Sequence, residues 1–239
     1  MSDLKGKVFV VTGATEGIGK EACFDFARRG ATLVIVGRNR EKTERVATEL
    51  ATAGAESVEL IVADISSLAD MRRVAREVSA RHDKLDVLVN NAGAVFADYK
   101  LSVDGFEQTF ALNHLGYFVL TTELQPLLKA TAGARIVSTA SGAHRTSRID
   151  LSTVAVRPNR RAGFNAYADS KLANILFTRE LGRRLAGSGV VATCFHPGFV
   201  YTGFGANNPG LFGSAIQLAA KLTARDSKKG AETLIWLAT

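Results

Sequence analysis

The chain has 239 residues, of which 46% are hydrophobic and 22% are charged, and its formal net charge is +7. This composition excludes wholesale disorder, and the length favours a single α/β domain over residues 1–239 rather than two domains. Because the chain has only two cysteines, a disulfide framework is excluded, and its four widely separated histidines predict no metal site. The basic residues do not form long runs, so no nucleic-acid partner is predicted.

Short apolar runs alternate along the chain with longer segments of helical periodicity. The strand-like runs are 7–12, 32–37, 57–64, 85–93, 134–141 and 190–198. The helical segments are 17–30, 41–54, 67–82, 105–130 and 164–187. Runs of Val, Ile and Leu that alternate with helices predict a mostly parallel sheet with helices on both faces. Because such crossovers are right-handed, the expected architecture is a doubly wound α/β sheet, the Rossmann fold.

Two segments, 142–163 and 199–225, interrupt this alternation after predicted strands. Open α/β sheets bind ligands at the carboxyl ends of their strands, so both segments are expected beside the binding site. The second segment is rich in glycine and contains the apolar stretch LFGSAIQLAAKL. We interpret 199–225 as a loop or lid over a hydrophobic or aromatic substrate, the alternative being a helix that packs on the domain.

The stretch TGATEGIG at 12–19 joins the first predicted strand to the first predicted helix. Gly13, Gly17 and Gly19 allow a tight turn and a close approach of the backbone to a ligand. A helix N-terminus offers free N–H groups and a positive dipole end to a phosphate. The spacing differs from both G-x-G-x-x-G and the Walker loop. The stretch predicts a pyrophosphate site, and the alternative is a glycine-rich turn without a ligand.

The second predicted strand ends in Gly37 and Arg38, without the acidic residue that commonly holds the ribose hydroxyls of NAD. An acid at this place would repel a 2′-phosphate, whereas the planar guanidinium of Arg38 can pair with one. This favours NADP as the cofactor, with NAD possible. The alternative is a solvated arginine in a loop.

Tyr167 and Lys171 lie four residues apart in a predicted helix and therefore share one helix face. The pKa of a phenol is ordinarily about 10. A neighbouring ammonium favours the phenolate and is expected to lower that pKa. The pair can then act as a general acid or base near neutral pH. Two surface residues are the alternative.

Ser141 lies at the end of the fifth predicted strand, where its hydroxyl can hydrogen-bond a substrate carbonyl. Ser138 competes for this role, but residues three apart on a strand point to opposite faces, so at most one faces the site. Asn113 lies in the middle of a predicted helix, where asparagine is not favoured. It predicts a local helix distortion with a water-binding carbonyl, and a polar position without a role is the alternative.

Together these motifs resemble the short-chain dehydrogenases/reductases over nearly the whole chain. The matching stretches are TGATEGIG, Asp64 after strand three, NNAG at 90–93, Asn113 in LNHLG, Ser141 in VSTAS, YADSK at 167–171 and HPG at 196–198. The stretch YADSKLANILFTREL looks closest to the retinol dehydrogenase-like branch. The resemblance implies an NAD(P)-dependent oxidoreductase that transfers hydride between a nicotinamide and an alcohol or carbonyl substrate.

The resemblance also implies a role for each matching residue. Tyr167 is expected to donate or accept the proton, Lys171 to lower the pKa of Tyr167 and bind the ribose, Ser141 to polarise the carbonyl and Asn113 to hold a water. The expected cofactor contacts are Gly13, Thr15, Gly17, Ile18 and Gly19 at the pyrophosphate, Arg38 and Asn39 after strand two, Asp64 and Ile65 at the adenine, Asn91, Ala92 and Gly93 along strand four, and Tyr167, Lys171, Pro197, Gly198, Val200 and Thr202 at the nicotinamide end.

Two features depart from the family pattern. Glu16 stands where NADP-dependent relatives often carry a basic residue, which weighs against NADP. Relatives also typically add a seventh strand after a helix like 228–239, so this chain is expected to be a fragment or a shortened member. The resemblance further implies a homo-oligomer, most simply a dimer formed through the helices 105–130 and 164–187.

The sequence also carries expectations about location and about an alternative function. No apolar stretch approaches the ~20 residues of a membrane helix, and MSDLKGK lacks the apolar centre of a signal peptide. We therefore expect a cytoplasmic protein with no transmembrane segment. The alternative function is a non-catalytic dinucleotide-binding regulator, which would not need the complete set of Ser141, Tyr167 and Lys171.

Overall fold

The computed structural model describes residues 3–150, 163–198, 200 and 226–239. Its centre is one six-stranded sheet with the strand order β3-β2-β1-β4-β5-β6, in which every neighbouring pair is parallel. The strands are β1 Val8–Thr12, β2 Thr32–Gly37, β3 Ser57–Val62, β4 Val87–Asn90, β5 Arg135–Thr139 and β6 Val191–Phe195. The predicted doubly wound Rossmann sheet is confirmed.

Helices cover both faces of the sheet. They are α1 Gly17–Arg28, α2 Arg40–Thr52, α3 Leu68–Arg81, α4 Gln108–Phe110, α5 Gly116–Lys129, α6 Phe164–Arg184 and α7 Ser227–Ala238. A π-helical segment, Ala111–Leu115, joins α4 to α5, and a 3₁₀ helix, Gly142–Thr146, follows β5. One core cluster joins the sheet to α3, α5 and α6, and a second joins it to α1, α2 and α7.

The apolar pattern of the strands explains why both faces are covered. All five residues of β1 are buried, and its side chains alternate between the two cores, with Val10 on one side and Phe9 and Val11 on the other. Side chains alternate across a strand, so a continuous apolar run needs a helical layer on each face. Because β1 lies between β2 and β4, the direction of the chain across the sheet reverses beside it, and this is where such sheets bind ligands.

The predicted helix 105–130 differs most from the structure. It begins at Gln108, because the carboxylate of Glu107 accepts hydrogen bonds from the N–H groups of Thr109 and Phe110 and so caps the first turn. The π-helical segment then interrupts it around Asn113. The distortion that Asn113 predicted is therefore present.

The predicted lid, 199–225, lies outside the described residues apart from Val200. Among the residues that the structure describes, no helix has both the length and the apolar character needed to cross a membrane.

Candidate active site

A cleft of about 740 Å³ opens at the carboxyl ends of the strands, beside the reversal point between β1 and β4. Most of the predicted site residues line it: Gly13, Thr15, Gly17, Ile18, Arg38, Asp64, Ile65, Asn91, Ala92, Gly93, Ser141, Tyr167, Lys171, Pro197, Gly198 and Val200. Gly19, Asn39 and Asn113 do not line it, and Thr202 lies outside the described residues. The sequence motifs, which are up to 187 positions apart, thus meet in one site.

Two glycines of the glycine loop are required by close packing, and one of them also by its backbone conformation. Gly13 has a φ of +68°, and a Cβ there would lie 2.7 Å from the Cα of Ala92. A Cβ on Gly19 would lie 2.3 Å from the carbonyl oxygen of Gly13. Gly13 therefore lets the glycine loop approach the loop after β4, and Gly19 lets α1 pack on the glycine loop. The first turn of α1 reaches the cleft through Gly17 and Ile18, and this places free N–H groups and a positive dipole end there.

The NNAG stretch is fixed to β1 by hydrogen bonds. The hydroxyl of Thr12 accepts from the N–H groups of Asn91 and Ala92 at 3.0 and 3.2 Å. The side-chain amide of Asn91 donates to the carbonyl oxygen of Gly13 at 3.2 Å. The buried phenol of Tyr117, which sequence reasoning missed, donates to the carbonyl oxygen of Ala92 at 2.7 Å. These bonds turn the chain out of the sheet at Asn90 and along the cleft.

Arg38 and Asn39 follow β2 but have different positions. Arg38 lines the cleft, and it has no ion pair with any residue in the described part of the chain. The side chain of Asn39 instead caps α2, because its Oδ1 accepts from the N–H of Lys42 at 2.8 Å. After the neighbouring strand β3, the carboxylate of Asp64 accepts from the N–H and hydroxyl of Ser66 at 2.9 and 2.7 Å, and these bonds orient it.

Lys171 is buried, with 2% of its surface exposed, and its Nζ donates to the carbonyl oxygen of Thr139 at 3.0 Å. The same Nζ lies 5.6 Å from the ring centre of Tyr167. Burial disfavours the ammonium and lowers the pKa of Lys171 from 10.5 to about 7. The amine can therefore take up or release a proton near neutral pH.

Tyr167 lies at the wall of the cleft, and its pKa is raised, not lowered as the sequence predicted. Burial of the phenol is the main cause, and a side-chain hydrogen bond with Ser141 acts in the opposite direction. The prediction assumed a lasting ammonium on Lys171, but the burial that raises the tyrosine pKa also lowers that of the lysine. A neutral phenol, ready to donate a proton, is the result.

Of the two candidate serines, Ser141 faces the cleft and Ser138 does not. Ser141 begins the 3₁₀ helix after β5, and its Oγ accepts from the N–H of Ala143 at 3.3 Å. Ser138 is buried between the sheet and the helices, and its Oγ has no hydrogen-bond partner among the described residues. The expectation that only one serine would face the site agrees with this arrangement.

Asn113 lies behind the cleft, in the π-helical segment, and is fully buried. Its side-chain amide exchanges two hydrogen bonds with the backbone of Ala94, both at 2.9 Å, and donates to the hydroxyl of Ser170 at 3.1 Å. Its carbonyl oxygen accepts from Asn174 Nδ2 at 2.9 Å. Asn113 thus joins the loop after β4 to α6, which carries Tyr167 and Lys171.

Sequence reasoning missed the residues that support this arrangement from behind. Asn174 also accepts a hydrogen bond at Oδ1 from His114 Nδ1 at 2.9 Å, and Thr139 supplies the carbonyl that Lys171 contacts. Burial lowers the pKa of His114, so the ring is neutral at pH 7 and its Nδ1 carries the proton that Asn174 accepts. The spacing of Asn174, three residues after Lys171 on one helix face, was the available sequence signal.

The fold and the site together define the class of protein. The sheet is doubly wound and parallel, its first turn is rich in glycine, and a cleft lies at its reversal point beside a helix that carries the Tyr–Lys pair. This arrangement is typical of nucleotide-binding α/β proteins. The family model for short chain dehydrogenase matches residues 7–209. The chain therefore belongs to the short-chain dehydrogenase family, and the resemblance stated from the motifs is confirmed.

Individual relatives agree with this family and with the retinol dehydrogenase-like branch. Human retinol dehydrogenase 11 is 46% identical over 198 residues, which are 82% of this chain and 62% of that protein. The chain thus spans less than two thirds of the length of that relative. A crystal structure of a protein from Mycobacterium paratuberculosis has a TM-score of 0.78 at 35% identity and covers 100% of this chain and 79% of its own. A short chain dehydrogenase from Burkholderia cenocepacia in complex with NADP has a TM-score of 0.77 at 28% identity, covering 98% and 91% of the two chains.

Proposed function

We propose that the protein is an NADP(H)-preferring oxidoreductase that interconverts an alcohol and a carbonyl compound. The observation that carries the proposal is that one cleft brings together two sets of residues. Its lining includes Ser141, Tyr167 and Lys171, and it also includes the glycine loop and Arg38. The relative from Burkholderia cenocepacia, which is in complex with NADP, adds support for the cofactor. The complete set of three side chains argues against the alternative of a regulator without turnover.

The residues of the cleft fit a dinucleotide phosphate. The glycine loop and the first turn of α1 offer N–H groups for the pyrophosphate, and Asp64 offers an oriented carboxylate for an adenine amine. Arg38 brings to the cleft a guanidinium that forms no ion pair with the described residues, and a planar guanidinium is well suited to a 2′-phosphate. When bound, NADP(H) supplies or accepts the hydride of the reaction.

The protein residues then handle the oxygen and its proton. In the reducing direction the carbonyl carbon gains hydride, and the neutral phenol of Tyr167 donates its proton to the oxygen, giving the alcohol. The hydroxyl of Ser141 orients the carbonyl, since its hydrogen bond with Tyr167 places it next to the phenol. Lys171, with a pKa of about 7, stabilises the phenolate left behind and returns a proton to it. Asn113 does not line the cleft, and its backbone carbonyl already accepts from Asn174 Nδ2, so its part in this proposal is to hold α6, which carries Tyr167 and Lys171, against the loop after β4.

The substrate end of the cleft is apolar, and we propose a hydrophobic or aromatic substrate. Phe96, Leu112 and Phe164 line the cleft, and the ring centre of Phe164 lies 6.1 Å from that of Tyr167. Phe164 is 52% exposed, so a substrate that covers it would remove apolar surface from water. A lid formed by 199–225 stays part of this proposal, although its residues lie outside those described apart from Val200.

We also propose a homodimer in the cytoplasm. Phe118 on α5 and Leu176 on α6 are exposed apolar side chains, and the ring of Phe118 packs on that of Phe177, so a second copy that covers these two helices would remove apolar surface from water. The two free cysteines agree with a reducing compartment. Light scattering after gel filtration tests the dimer, and fractionation of cells that express the chain tests the location.

The function is tested by fluorescence titration of the protein with NADPH and with NADH, followed by turnover of a panel of apolar aldehydes and ketones. We expect tighter binding of NADPH and NADPH-dependent reduction of at least one aromatic or long-chain carbonyl compound. Binding of neither dinucleotide would contradict the proposed cofactor site. Tight binding without turnover of any member of the panel would instead favour the regulator.

A further inference from the structure

The first turn of α5 places an aromatic ring against the amine of Lys171. The Nζ of Lys171 lies over the ring of Tyr117, 5.7 Å from its centre, and 5.6 Å from the ring centre of Tyr167. Both partners are buried, since 1% of Tyr117 and 2% of Lys171 is exposed. An ammonium within about 6 Å of a ring centre is attracted by the negative face of the ring, and the attraction is stronger where water is excluded.

The hydroxyl of Tyr117 is directed away from this contact. It donates to the carbonyl oxygen of Ala92 at 2.7 Å. Burial raises the pKa of Tyr117 well above its usual value, so the phenol is neutral over the pH range in which Lys171 titrates. A neutral phenol whose proton is bonded to a backbone carbonyl does not exchange a proton with the amine. Tyr117 therefore offers Lys171 the face of its ring.

The other titratable groups around Lys171 are neutral near pH 7. His114 is electrostatically coupled to Lys171, and burial lowers its pKa, so its ring is uncharged. Burial raises the pKa of Tyr167, so that phenol is uncharged as well. Within the described part of the chain, no carboxylate forms an ion pair with Lys171, whose pKa burial lowers to about 7. Ring faces and the carbonyl oxygen of Thr139 are thus what these residues offer to the ammonium.

We propose that Tyr117 is a positioning residue for the proposed reaction, in which the face of its ring holds the ammonium form of Lys171 beside Tyr167. After Tyr167 has given its proton to the substrate oxygen, an N–H bond of that ammonium breaks and the O–H bond of the phenol forms again. The neutral amine then regains a proton from water. The ring of Tyr117 opposes the burial that favours the neutral amine. The inference rests on the proposed function and adds a residue that no motif in the sequence indicated.

The hydroxyl of Tyr117 has a separate effect on the cleft. Ala92 is held on one side by Thr12, whose hydroxyl accepts from its N–H at 3.2 Å, and on the other by the hydroxyl of Tyr117. The Cα of Ala92 also packs closely on Gly13. Tyr117→Phe removes the hydroxyl and keeps the ring, so the two effects can be measured separately.

The pH dependence of kcat for carbonyl reduction, at saturating NADPH and substrate, tests the role of the ring. Activity should fall as the pH rises above the pKa of Lys171, because the ammonium is lost. Tyr117→Phe should keep the midpoint of this fall within about 0.2 pH unit and weaken NADPH binding about two- to fivefold. Difluoro- and pentafluorophenylalanine at position 117 keep the shape of the ring while removing its negative face, so they should lower the midpoint stepwise, by about 0.5–1 pH unit in total.

Urea unfolding of the phenylalanine and pentafluorophenylalanine proteins gives a readout that needs no turnover. The fluorinated ring should lower the pKa of Lys171 in the folded state and leave it unchanged in the unfolded state. The advantage in free energy of unfolding of the phenylalanine protein should then be largest below about pH 6, fall through about pH 6–7 and stay constant above it. The same comparison with Lys171→Met in both proteins should show no pH dependence, which identifies Lys171 as the titrating group.

Phe26→Leu is the matched control for the loss of a buried ring. Phe26 is fully buried in the core that contains α1, and its ring centre lies 4.6 Å from that of Phe9. This variant should lower stability without moving the midpoint of the pH profile. A midpoint that fluorination leaves in place, or moves to higher pH, would overturn the role of the Tyr117 ring while leaving the proposed function intact. Absence of turnover by the unaltered protein would overturn both, and the unfolding data would then report the ring–amine contact alone.

Discussion

Replacing Lys171 with methionine tests the electrostatics of the site through protein stability. Burial lowers the pKa of this lysine from 10.5 to about 7. At 1.36 kcal/mol per pKa unit, keeping the buried amine protonated costs roughly 5 kcal/mol. Methionine has a similar length and carries no charge, so it fills the same space without this cost.

The pH dependence has a definite sign. Below about pH 7 the lysine is protonated in both the folded and the unfolded state, and the full cost of the buried charge is present. Between about pH 7 and 10.5 the unfolded chain binds a proton that the folded protein does not, so the free energy of unfolding rises with pH. The stability of the natural protein relative to Lys171→Met should therefore increase by roughly 2–3 kcal/mol from pH 7 to pH 9.

The measurement is urea unfolding of both proteins at pH 6, 7, 8 and 9, followed by far-UV circular dichroism. Circular dichroism is preferred because Trp236 is 75% exposed and reports poorly on the core. The matched control is Lys129→Met, which replaces an exposed lysine at the end of α5. The difference in free energy of unfolding between this variant and the natural protein should not change with pH. If the free energy of unfolding of the natural protein relative to Lys171→Met stays constant or falls as the pH rises, the lowered pKa of Lys171 is refuted.

The remaining predictions concern single side chains of the site. Tyr167→Phe should lower kcat by about 10²–10⁴-fold, because the proton donor is lost, and leave the NADPH dissociation constant unchanged; near-normal turnover would exclude the proposed role. Gly19→Ala should destabilise the protein by about 1–3 kcal/mol and weaken NADPH binding, since the new Cβ would lie 2.3 Å from the Gly13 carbonyl oxygen. Gly182→Ala, whose Cβ meets nothing within 4 Å, is its control and should be neutral or stabilising in the same melting experiment. Asn174→Leu should cost about 1–3 kcal/mol and lower kcat, because it leaves the Asn113 carbonyl and the His114 ring without this partner; an unchanged melting temperature would contradict that.

The sequence by itself determined the order of the elements and the type of fold. Continuous apolar runs such as Val8–Thr12 can be satisfied only by a sheet that is covered on both faces, so the prediction did not depend on any long-range contact. The motifs also identified many of the residues that line the cleft, since glycine-rich turns and the Tyr–Lys spacing have local physical reasons. The boundaries were less accurate where a side chain decides them, as Glu107 does by capping the helix at Gln108.

Only the tertiary structure decided the electrostatics and the support of the site. The pKa of Tyr167 is raised and that of Lys171 is lowered because both side chains are enclosed by segments that are distant in sequence, and desolvation then outweighs the attraction that the spacing suggests. The bond from Asn174 to the Asn113 carbonyl and the ion pair between Lys42 and Glu16 likewise join different elements. A sequence pattern reports which groups share one helix or strand, but burial and pairing depend on how those elements pack.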